Sequence, residues 1–349
     1  MNDLDTLVEL VVREGASDLH ISDGRNPMIR IAGQLVPLTK YRKFTKADME
    51  AVLNKVLSDA KKESFKTTQS ADFAYSYGNE RFRSHVFLDQ QRMCIAFRHI
   101  SKNIKTLEEL DLPSSLANFA RLKSGFFIVV GPTGHGKSTT LASLLEIINS
   151  ERLENIITIE DPIEYLFTPK KSVIHQREVG SDTPSFPEAL HDAFRADVNV
   201  VMVGEMRDAD TMATAVTAAE TGHLVFSTMH TNNAAQAVDR IIDSFDSTQQ
   251  NQIRIQLAAS LSGVFSQRLI PKISGGRVPA YELLINNTAV SNLIRDKRTH
   301  EIDTVIETSS QSGMIDFNRC LVQRVNQGAI TLENAYLYST NPRALEKML

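Results

Sequence analysis

A glycine-rich loop set between a strand-like run and a helix-like run is the feature that most constrains this chain of 349 residues. Residues 131–138 read Gly-Pro-Thr-Gly-His-Gly-Lys-Ser and directly follow the apolar run at 126–130. One helical face then carries apolar residues at the spacing i, i+3, i+4 and i+7, namely Leu141, Leu144, Leu145 and Ile148. The loop has the spacing G-x-x-x-x-G-K-[ST] and the flanking elements that a phosphate-binding P-loop requires. The sequence therefore predicts a binding site for a nucleoside triphosphate.

Each residue type in this loop suits the binding of phosphate groups. Gly131 and Gly136 allow the backbone to bend so that its N–H groups converge on phosphate oxygens. Lys137 places a positive charge on the outer phosphates, and the Ser138 hydroxyl is suited to Mg²⁺. We expect the whole loop and the start of the following helix to bind the nucleotide: Gly131, Pro132, Thr133, Gly134, His135, Gly136, Lys137, Ser138 and Thr139.

Composition and charge favour a globular, cytoplasmic enzyme. Hydrophobic residues make up 42% and charged residues 23% of the chain, values that allow two domains with ordinary cores. The formal net charge of −4 carries no polybasic signature for nucleic acid or acidic lipid. The first residues lack a signal-peptide pattern, and no apolar run approaches the roughly 20 residues that span a bilayer. Cys94 and Cys320 are too few and too far apart for a disulfide framework or a four-cysteine zinc site.

Hydrophobic patterning divides the chain into two predicted domains and a linker. Residues 1–100 mix short strand-like runs with helical ones, which predicts a small α+β domain. Its helix over 45–66 opens with Thr45 and Asp48 in a capping-box-like arrangement. The polar stretch 101–114, which has a proline near its end, is predicted to be the linker. The other elements of this domain are expected as a helix at 2–13 and strands at 28–31, 81–88 and 94–97.

The second predicted domain starts at about residue 115 and has a different pattern. Apolar strand-like runs alternate there with helical segments, at 126–130, 156–160, 200–204 and 224–228. Alternation of this kind indicates a parallel sheet with helices on both faces. One further helix is predicted over 250–268, with Ile253, Leu257, Leu261 and Val264 on one face. The C-terminal 70 residues are predicted to be helical without new strands.

Carboxylates follow two of these predicted strands. Asp161 and Glu164 come after the first, and Gly204 and Glu205 come after the next. Ligands bind outside the carboxyl ends of strands in open parallel sheets, and a triphosphate hydrolase needs carboxylates to orient Mg²⁺ and to position or deprotonate water. Taken alone, the first acidic turn is equally well explained as a solvated surface turn. A generic P-loop ATPase would carry Asp at position 204, so Glu205 is predicted to take the metal-side role.

Two histidines, His223 and His230, bracket the fourth predicted strand. Histidines in such places are more often core or surface residues than metal ligands. No third ligand lies at a spacing suited to zinc.

Together these motifs resemble the secretion-superfamily ATPases, and within them the type IV pilus retraction ATPases. The glycine loop matches that family through residue 141, and Ile-Glu-Asp-Pro-Ile-Glu-Tyr at 159–165 is similar to its Asp box. Val-Gly-Glu-Met-Arg-Asp at 203–208 is similar to its atypical Walker B motif, and residues 217–231 are similar to its His box. Gly-Ala-Ser-Asp-Leu-His-Ile-Ser at 15–22 resembles the opening of the family's N-terminal domain.

The resemblance implies an α/β protein in which a PAS-like α+β domain over residues 1–100 precedes a RecA-like P-loop ATPase domain over residues 115–349 with a C-terminal helical region. It implies a homohexamer that binds ATP and Mg²⁺ between its protomers and hydrolyses ATP to drive pilus retraction and twitching motility. The implied partners are an inner-membrane pilus platform protein and a paralogous pilus ATPase. Nucleic acid is not an implied partner. Such a ring would lie on the cytoplasmic side of the inner membrane at the pilus base.

The resemblance also implies roles for individual residues. Glu164 matches the family's catalytic glutamate, and Glu205 matches the Walker B glutamate that supports Mg²⁺ together with Ser138. His230 matches the residue that senses the γ-phosphate, whereas the role of His223 in the same box is less defined. Arg83 and Arg98 match arginines that the N-terminal domain sends into a neighbouring site, where a fixed guanidinium stabilises developing phosphate charge. Without the resemblance, these two arginines are also explained as surface charges that keep edge strands from aggregating.

Four other functions stay open at this point. A DotB-like type IV secretion ATPase has a similar outline. A pilus assembly ATPase is disfavoured because that branch carries a four-cysteine zinc site and a longer N-terminal region, whereas the PAS-like domain begins here at the start of the chain. A RecA-like nucleic-acid motor would share the ATP site, but no basic and aromatic stacking surface is evident. A regulatory protein that binds ATP without hydrolysing it is disfavoured because the acidic residues are retained.

The chain departs from the family pattern at two places. His135 stands where a small residue, usually serine, is common; its side chain can point outward, so we expect nucleotide binding to survive with an altered affinity or pH response. The segment 289–295, Ala-Val-Ser-Asn-Leu-Ile-Arg, only partly resembles the AIRNLIRE motif of the retraction ATPases. Asp296 stands where that motif has Glu.

Overall fold

The computed structural model describes residues 3–31 and 33–349, and the described residues form two compact units. The first unit extends to Lys102 and also includes the short segment Ile163–Leu166. The second unit comprises Asn103–Pro162 and Phe167–Leu349. A backbone hydrogen bond from the Leu166 N–H to the Ser101 carbonyl (3.3 Å) helps to hold that short segment within the first unit.

The first unit is built on an antiparallel sheet, whose strand order within the described residues is β3-β2-β1-β6-β5-β4. Its helices pack on a core that includes Leu7, Phe44, Phe82 and Phe97. The elements are α1 (Leu4–Arg13), β1 (Asp18–Ser22), β2 (Met28–Ile31), β3 (Gln34–Pro37), α2 (Lys46–Val56), α3 (Asp59–Thr68), β4 (Ser70–Tyr77), β5 (Glu80–Asp89) and β6 (Arg92–Ile100).

The predicted helix over 45–66 is wrong as a single element. Its start is confirmed, because Thr45 and Asp48 form both hydrogen bonds of a capping box at α2. The chain leaves the helix at Leu57, whose side chain is buried in the core, and Ser58 then caps α3. The helix predicted at 2–13 is present as α1, and position 2 lies outside the described residues.

The second unit contains the predicted parallel sheet, with the strand order β13-β12-β7-β11-β10-β8-β9 among the described residues. Only the β12–β13 pair within it is antiparallel. The strands are β7 (Gly125–Val130), β8 (Asn155–Glu160), β9 (Val173–Glu178), β10 (Val200–Val203), β11 (Leu224–Met229), β12 (Leu261–Pro271) and β13 (Arg277–Ile285). The helices are α4 (Ala117–Ala120), α5 (Lys137–Glu151), α6 (Phe186–Ala193), α7 (Ala209–Glu220), α8 (Ala234–Asp243), α9 (Ser247–Ser260), α10 (Thr288–Arg295), α11 (Ile302–Thr308), α12 (Phe317–Asn326), α13 (Leu332–Tyr338) and α14 (Pro342–Met348).

Two predictions at the C-terminal side are wrong. The helix predicted over 250–268 ends at Ser260, and residues from Leu261 onward form β12. The expectation of no new strands after residue 279 fails as well, because β13 runs to Ile285. Leu261 and Val264 fit a helical period, but β12 lies between β7 and β13 and is buried through most of its length, so pairing with two strands overrides the local pattern. The edge strand β9 was also not predicted from the sequence.

The central strand β7 is buried on both faces, as expected for a parallel sheet covered by helices on each side. Phe126, Ile128 and Val130 pack with residues of the helices α6 to α11, whereas Phe127 and Val129 pack with residues of α4, α5, α12, α13 and α14. Within the predicted linker 101–114, Leu107 and Leu112 are buried in this second core. None of the helices in the described part of the chain has the length and apolar character that a bilayer crossing requires.

Candidate functional site

The glycine loop lies between the end of β7 and the start of α5, and its shape depends on close contact with β12. Gly131 has φ of +145°, and a Cβ there would lie 2.2 Å from the backbone oxygen of Gln267. Gly136 has φ of +86°, and its Cβ would lie 2.8 Å from the Gln267 amide nitrogen. Gly134 also has a positive φ, but nothing lies within 4 Å of its Cβ position. Both positions favour glycine by conformation, and position 131 also requires it for space, because its close contact is with backbone rather than with the end of a side chain.

Lys137 is the first residue of α5, and its side chain is buried inside the curve of the loop. Its Nζ donates hydrogen bonds to the carbonyl oxygens of Gly131 (2.9 Å) and Pro132 (3.0 Å). Nζ also lies 3.4 Å from Nδ1 of His230. Ser138 and Thr139 follow in the first turn of α5 and are half-buried. The lysine charge is thus held at the place where the helix begins and where a phosphate would meet the helix N-terminus.

His230 and Glu205 connect the other two motifs to this lysine. His230 follows β11, and its Nδ1 lies 3.3 Å from the Thr133 hydroxyl as well as near Lys137. Because an ammonium can only donate, Nδ1 is assigned as the acceptor, and the ring proton then sits on Nε2. Nε2 lies 3.6 Å from Oε2 of Glu205. The other carboxylate oxygen of Glu205, Oε1, accepts a hydrogen bond from Arg207, which raises the pKa of that guanidinium. The P-loop, Walker B-like and His-box segments therefore meet in one polar network.

The His135 side chain does not point outward as the sequence analysis expected. Its Nδ1 accepts a hydrogen bond from the backbone N–H of Leu269 in β12 (2.8 Å). Burial lowers the pKa of His135, and the nearby charges of Arg277, Arg268 and Lys137 lower it further. The imidazole is therefore held neutral and serves as a contact between the loop and β12.

Side chains of β12 and β13 anchor the P-loop and the segment that follows His230, and none of them was predicted from the sequence. The Gln267 side chain contacts the P-loop and α5. The Ser266 hydroxyl donates to the backbone oxygen of Asn232 (2.9 Å), just after His230. The Glu282 carboxylate accepts from the N–H of Ala234 (2.8 Å) at the start of α8. The only available signal was the pair Ser266-Gln267 inside an apolar run, which is unusual for a strand interior.

Glu282 is a buried acid beside the His-box loop. Burial raises its pKa to about 7, and the carboxylates of Asp303 and Asp316 add to the rise. The hydrogen bond from Ala234 and the charge of Arg268 act in the opposite direction.

Three predicted site residues belong to the first unit. Glu164 lies on the segment Ile163–Leu166 and is exposed. Arg83 on β5 and Arg98 on β6 are direct partners in the strand register, and both are exposed. The Arg98 Nε donates to the buried carboxylate of Asp18 (3.0 Å). Burial alone would raise the pKa of Asp18, but hydrogen bonds from Ser17 and Arg98 outweigh it and lower the pKa.

His223 lies at the opposite end of β11 from His230. Its Nδ1 contacts the backbone oxygen of Ala218 (3.0 Å) at the end of α7. The structure therefore separates the two histidines of the His box, and only His230 contacts the P-loop.

The fold and this network define a P-loop ATPase. Residues 1–276 match the family described as Type II/IV secretion system protein, and the chain belongs to that family. The predicted resemblance to the secretion-superfamily ATPases is thereby confirmed.

Individual relatives match over nearly their whole length. A Pseudomonas aeruginosa protein named type IV pilus retractation ATPase PilT is 39% identical over 338 residues, which cover 95% of this chain and 97% of that protein. The type IV pilus ATPase PilU of the same organism is 38% identical over 349 residues, which cover 99% of this chain and 91% of that protein. A crystal structure of the pilus retraction motor PilT with bound ADP superimposes with a TM-score of 0.92 at 42% identity and covers 100% of both chains.

The contact between His135 and Leu269 predicts a loss of stability in mild acid. A lowered pKa means that the folded state binds fewer protons than the unfolded state, so stability falls as the pH drops below the unfolded value of about 6.5 and toward the folded pKa. Protonated Nδ1 can no longer accept from the Leu269 N–H. His135→Asn keeps an acceptor near that position but does not titrate.

We expect the free energy of unfolding of the natural protein, relative to His135→Asn, to fall by about 1 kcal/mol between pH 7.5 and pH 5. Urea denaturation followed by circular dichroism at several pH values measures this difference. Parallel pH dependences for the two proteins would show that His135 remains unprotonated or that its contact contributes nothing.

Proposed function

We propose that this ATPase is a homohexameric motor that hydrolyses ATP to drive type IV pilus retraction and, through it, twitching motility. The observation that carries the hydrolytic part is the network in which Lys137, His230 and Glu205 meet beside the glycine loop. The retraction part rests on relatives that match over nearly their whole length and carry the names PilT and PilU.

In this proposal the phosphates bind to the loop amides of residues 131–139 and to the ammonium of Lys137. The Ser138 hydroxyl and the Glu205 carboxylate would hold Mg²⁺, because both are hard oxygen donors and both lie beside the lysine-bearing loop. Bound Mg²⁺ neutralises charge that develops on the phosphate oxygens. His230 would sense the γ-phosphate, because its Nδ1 contacts both Lys137 and Thr133, two groups that a bound phosphate would engage.

The remaining roles fall to residues of the first unit. Glu164 is exposed and is proposed to orient water for in-line attack, with its carboxylate as the general base. Arg83 and Arg98 are proposed to enter the site of an adjacent protomer and to stabilise phosphate charge. Because Arg83 and Arg98 are direct partners in the strand register, their side chains lie on the same face of the sheet. Asp18 orients the Arg98 side chain there.

We propose a PAS-like domain over residues 1–100, a linker over 101–114 and a RecA-like domain over 115–349. The antiparallel sheet with its helices supports the first assignment. The parallel order β12-β7-β11-β10-β8, with helices on both faces, supports the last.

The proposed partners follow from the same assignment. The hexamer would act on an inner-membrane pilus platform protein, from the cytoplasmic side at the pilus base, with a paralogous pilus ATPase and without nucleic acid. A pilus assembly ATPase and a DotB-like type IV secretion ATPase are the alternatives, and the third experiment below distinguishes them.

The first test addresses the chemistry of the site. Lys137→Ala removes the charge beside the loop and should reduce MgATP affinity by at least about tenfold, whereas Glu164→Gln should bind MgATP normally but hydrolyse it about 10²–10⁴ times more slowly. Fluorescent-nucleotide titration and phosphate release measure the two effects. Glu188→Gln, at an exposed position of α6, is the matched control and should behave as the natural protein. Near-normal turnover of Glu164→Gln would refute the catalytic assignment.

The second test addresses the sharing of the site between protomers. Lys137→Ala subunits lack the phosphate-binding half, and Arg83→Ala/Arg98→Ala subunits lack the arginine half. A mixture should hydrolyse more ATP than the two separate proteins together, because some interfaces regain both intact halves. Mixing Lys137→Ala with the triple variant Lys137→Ala/Arg83→Ala/Arg98→Ala should restore no ATP hydrolysis, because no subunit then has an intact lysine. If the first mixture gains no activity at any ratio, the arginines act within their own chain or only in folding.

The third test distinguishes retraction from the alternatives. Cells without this protein should keep equal or greater numbers of surface pili that cannot shorten, and they should lose twitching or pilus-dependent DNA uptake. Complementation with Glu164→Gln should not restore shortening unless a paralogous motor supplies the hydrolysis. Electron microscopy and motility assays provide the readouts. Cells without pili would identify an assembly motor, and normal pili with a defect in effector export would identify a secretion ATPase.

A further inference from the structure

One polar side chain of β12 joins the P-loop to the helix that follows it. Gln267 is 3% exposed and lies in the strand that pairs in parallel with β7. Its Oε1 accepts a hydrogen bond from the Thr140 hydroxyl in α5 (2.6 Å), and its Nε2 donates to the backbone oxygen of His135 in the loop (2.9 Å). Both ends of the amide are therefore used, at one position in the loop and one in the helix.

The two partners fix which way round the amide lies. The His135 carbonyl oxygen can only accept, so the nitrogen of Gln267 must face it. The Thr140 hydroxyl can then donate to the amide oxygen. An ionised glutamate would set an acceptor against the carbonyl, and methionine would offer neither hydrogen bond.

The backbone around Gln267 strengthens the same contact. Its carbonyl oxygen lies 2.2 Å from the position that a Cβ of residue 131 would take, so the strand packs directly against the first glycine of the loop. Two residues further along β12, the Leu269 N–H holds the His135 ring. The loop therefore contacts β12 at its first glycine, at the His135 carbonyl and at the His135 imidazole.

We propose that Gln267 is a positioning residue for nucleotide binding, whose amide sets the curvature of the P-loop by bridging the His135 carbonyl and the Thr140 hydroxyl. Loop amides must converge on one point to bind phosphate, and the bridge fixes the segment 135–140 from which the last of those amides, and Lys137, project. The inference rests on the proposal that residues 131–139 bind the nucleotide.

The test uses two variants of the complete chain and the fluorescent probe mant-ADP with Mg²⁺. Gln267→Met keeps the volume and removes both hydrogen bonds, and we expect it to weaken mant-ADP binding about tenfold. Gln267→Glu should bind more weakly still at pH 8 and regain affinity toward pH 6, because a protonated carboxyl can again donate to the His135 carbonyl. In ATP hydrolysis the Gln267→Met change should appear mainly in KM, with kcat changed much less.

The matched control is Gln252→Glu, because Gln252 lies on α9 and its side chain is exposed. It should show the affinity and pH profile of the natural protein. Thermal unfolding without nucleotide verifies that each variant is folded. If Gln267→Met does not fold, Thr140→Val removes the same bridge from its other end and should weaken binding several-fold.

The outcomes separate this inference from the assignment of the site itself. Binding of mant-ADP within twofold of the natural protein by Gln267→Met, or by Thr140→Val where the former does not fold, overturns the positioning role. A pH profile of Gln267→Glu that runs parallel to that of Gln252→Glu also overturns it. If Lys137→Ala binds mant-ADP normally, the P-loop assignment fails instead, whatever the Gln267 variants do.

Discussion

The candidate site depends on the polar contacts that surround the buried ammonium of Lys137. A buried charge is costly unless polar groups surround it, and this one obtains them from the loop carbonyls of Gly131 and Pro132 and from His230. The loop must curve back on the lysine to supply those carbonyls, which requires the positive φ angles of its glycines. His230 in turn lies near Glu205, so the arrangement of three separate motifs follows from the need to surround one cation. The same geometry leaves the ammonium where a phosphate would displace neutral carbonyls.

Local motifs allowed much of this site to be predicted from the sequence. The glycines, Lys137 and the strand before them form one continuous pattern, and Glu205 and His230 each follow a strand of a parallel sheet, whose carboxyl ends share an edge. The anchors of β12 and β13 could not be found in this way. Gln267 meets His135 across more than a hundred residues of sequence, and the apolar spacing of Leu261 and Val264 fits a helix as well as a strand. Pairing with β7 and β13 determines that this segment is a strand. The Leu269 N–H of that strand then determines the direction of the His135 ring.

The residues that we propose for hydrolysis are distributed over the two units. Glu164 follows the second-unit strand β8 closely in sequence, yet its segment Ile163–Leu166 belongs to the first unit with Arg83 and Arg98. Glu164 and both arginines therefore belong to one compact unit, and the P-loop belongs to the other. Within the first unit, the buried carboxylate of Asp18 accepts a hydrogen bond from Arg98 and fixes the orientation of that side chain. The proposed effects of Glu164, Arg83 and Arg98 on hydrolysis are therefore effects of residues outside the unit that carries the P-loop.

The nucleotide site cannot by itself decide which machine it drives, because the same chemistry serves motors with different partners. The segment that partly resembles the retraction motif is a separate source of evidence, and the structure shows what its deviation affects. It forms α10, capped by Asn287, with Leu293 and Ile294 buried and with Arg295 bonded to Asn292. Three residues depart from the motif: Val290 is buried, Ser291 donates to the backbone oxygen of Ala258 (2.9 Å), and Asp296 is exposed at the end of this helix. Ala289 and the run Asn292–Arg295 are thus retained. The change at 296 shortens an exposed carboxylate without altering its charge, whereas Ser291 in place of arginine removes one positive charge from the helix.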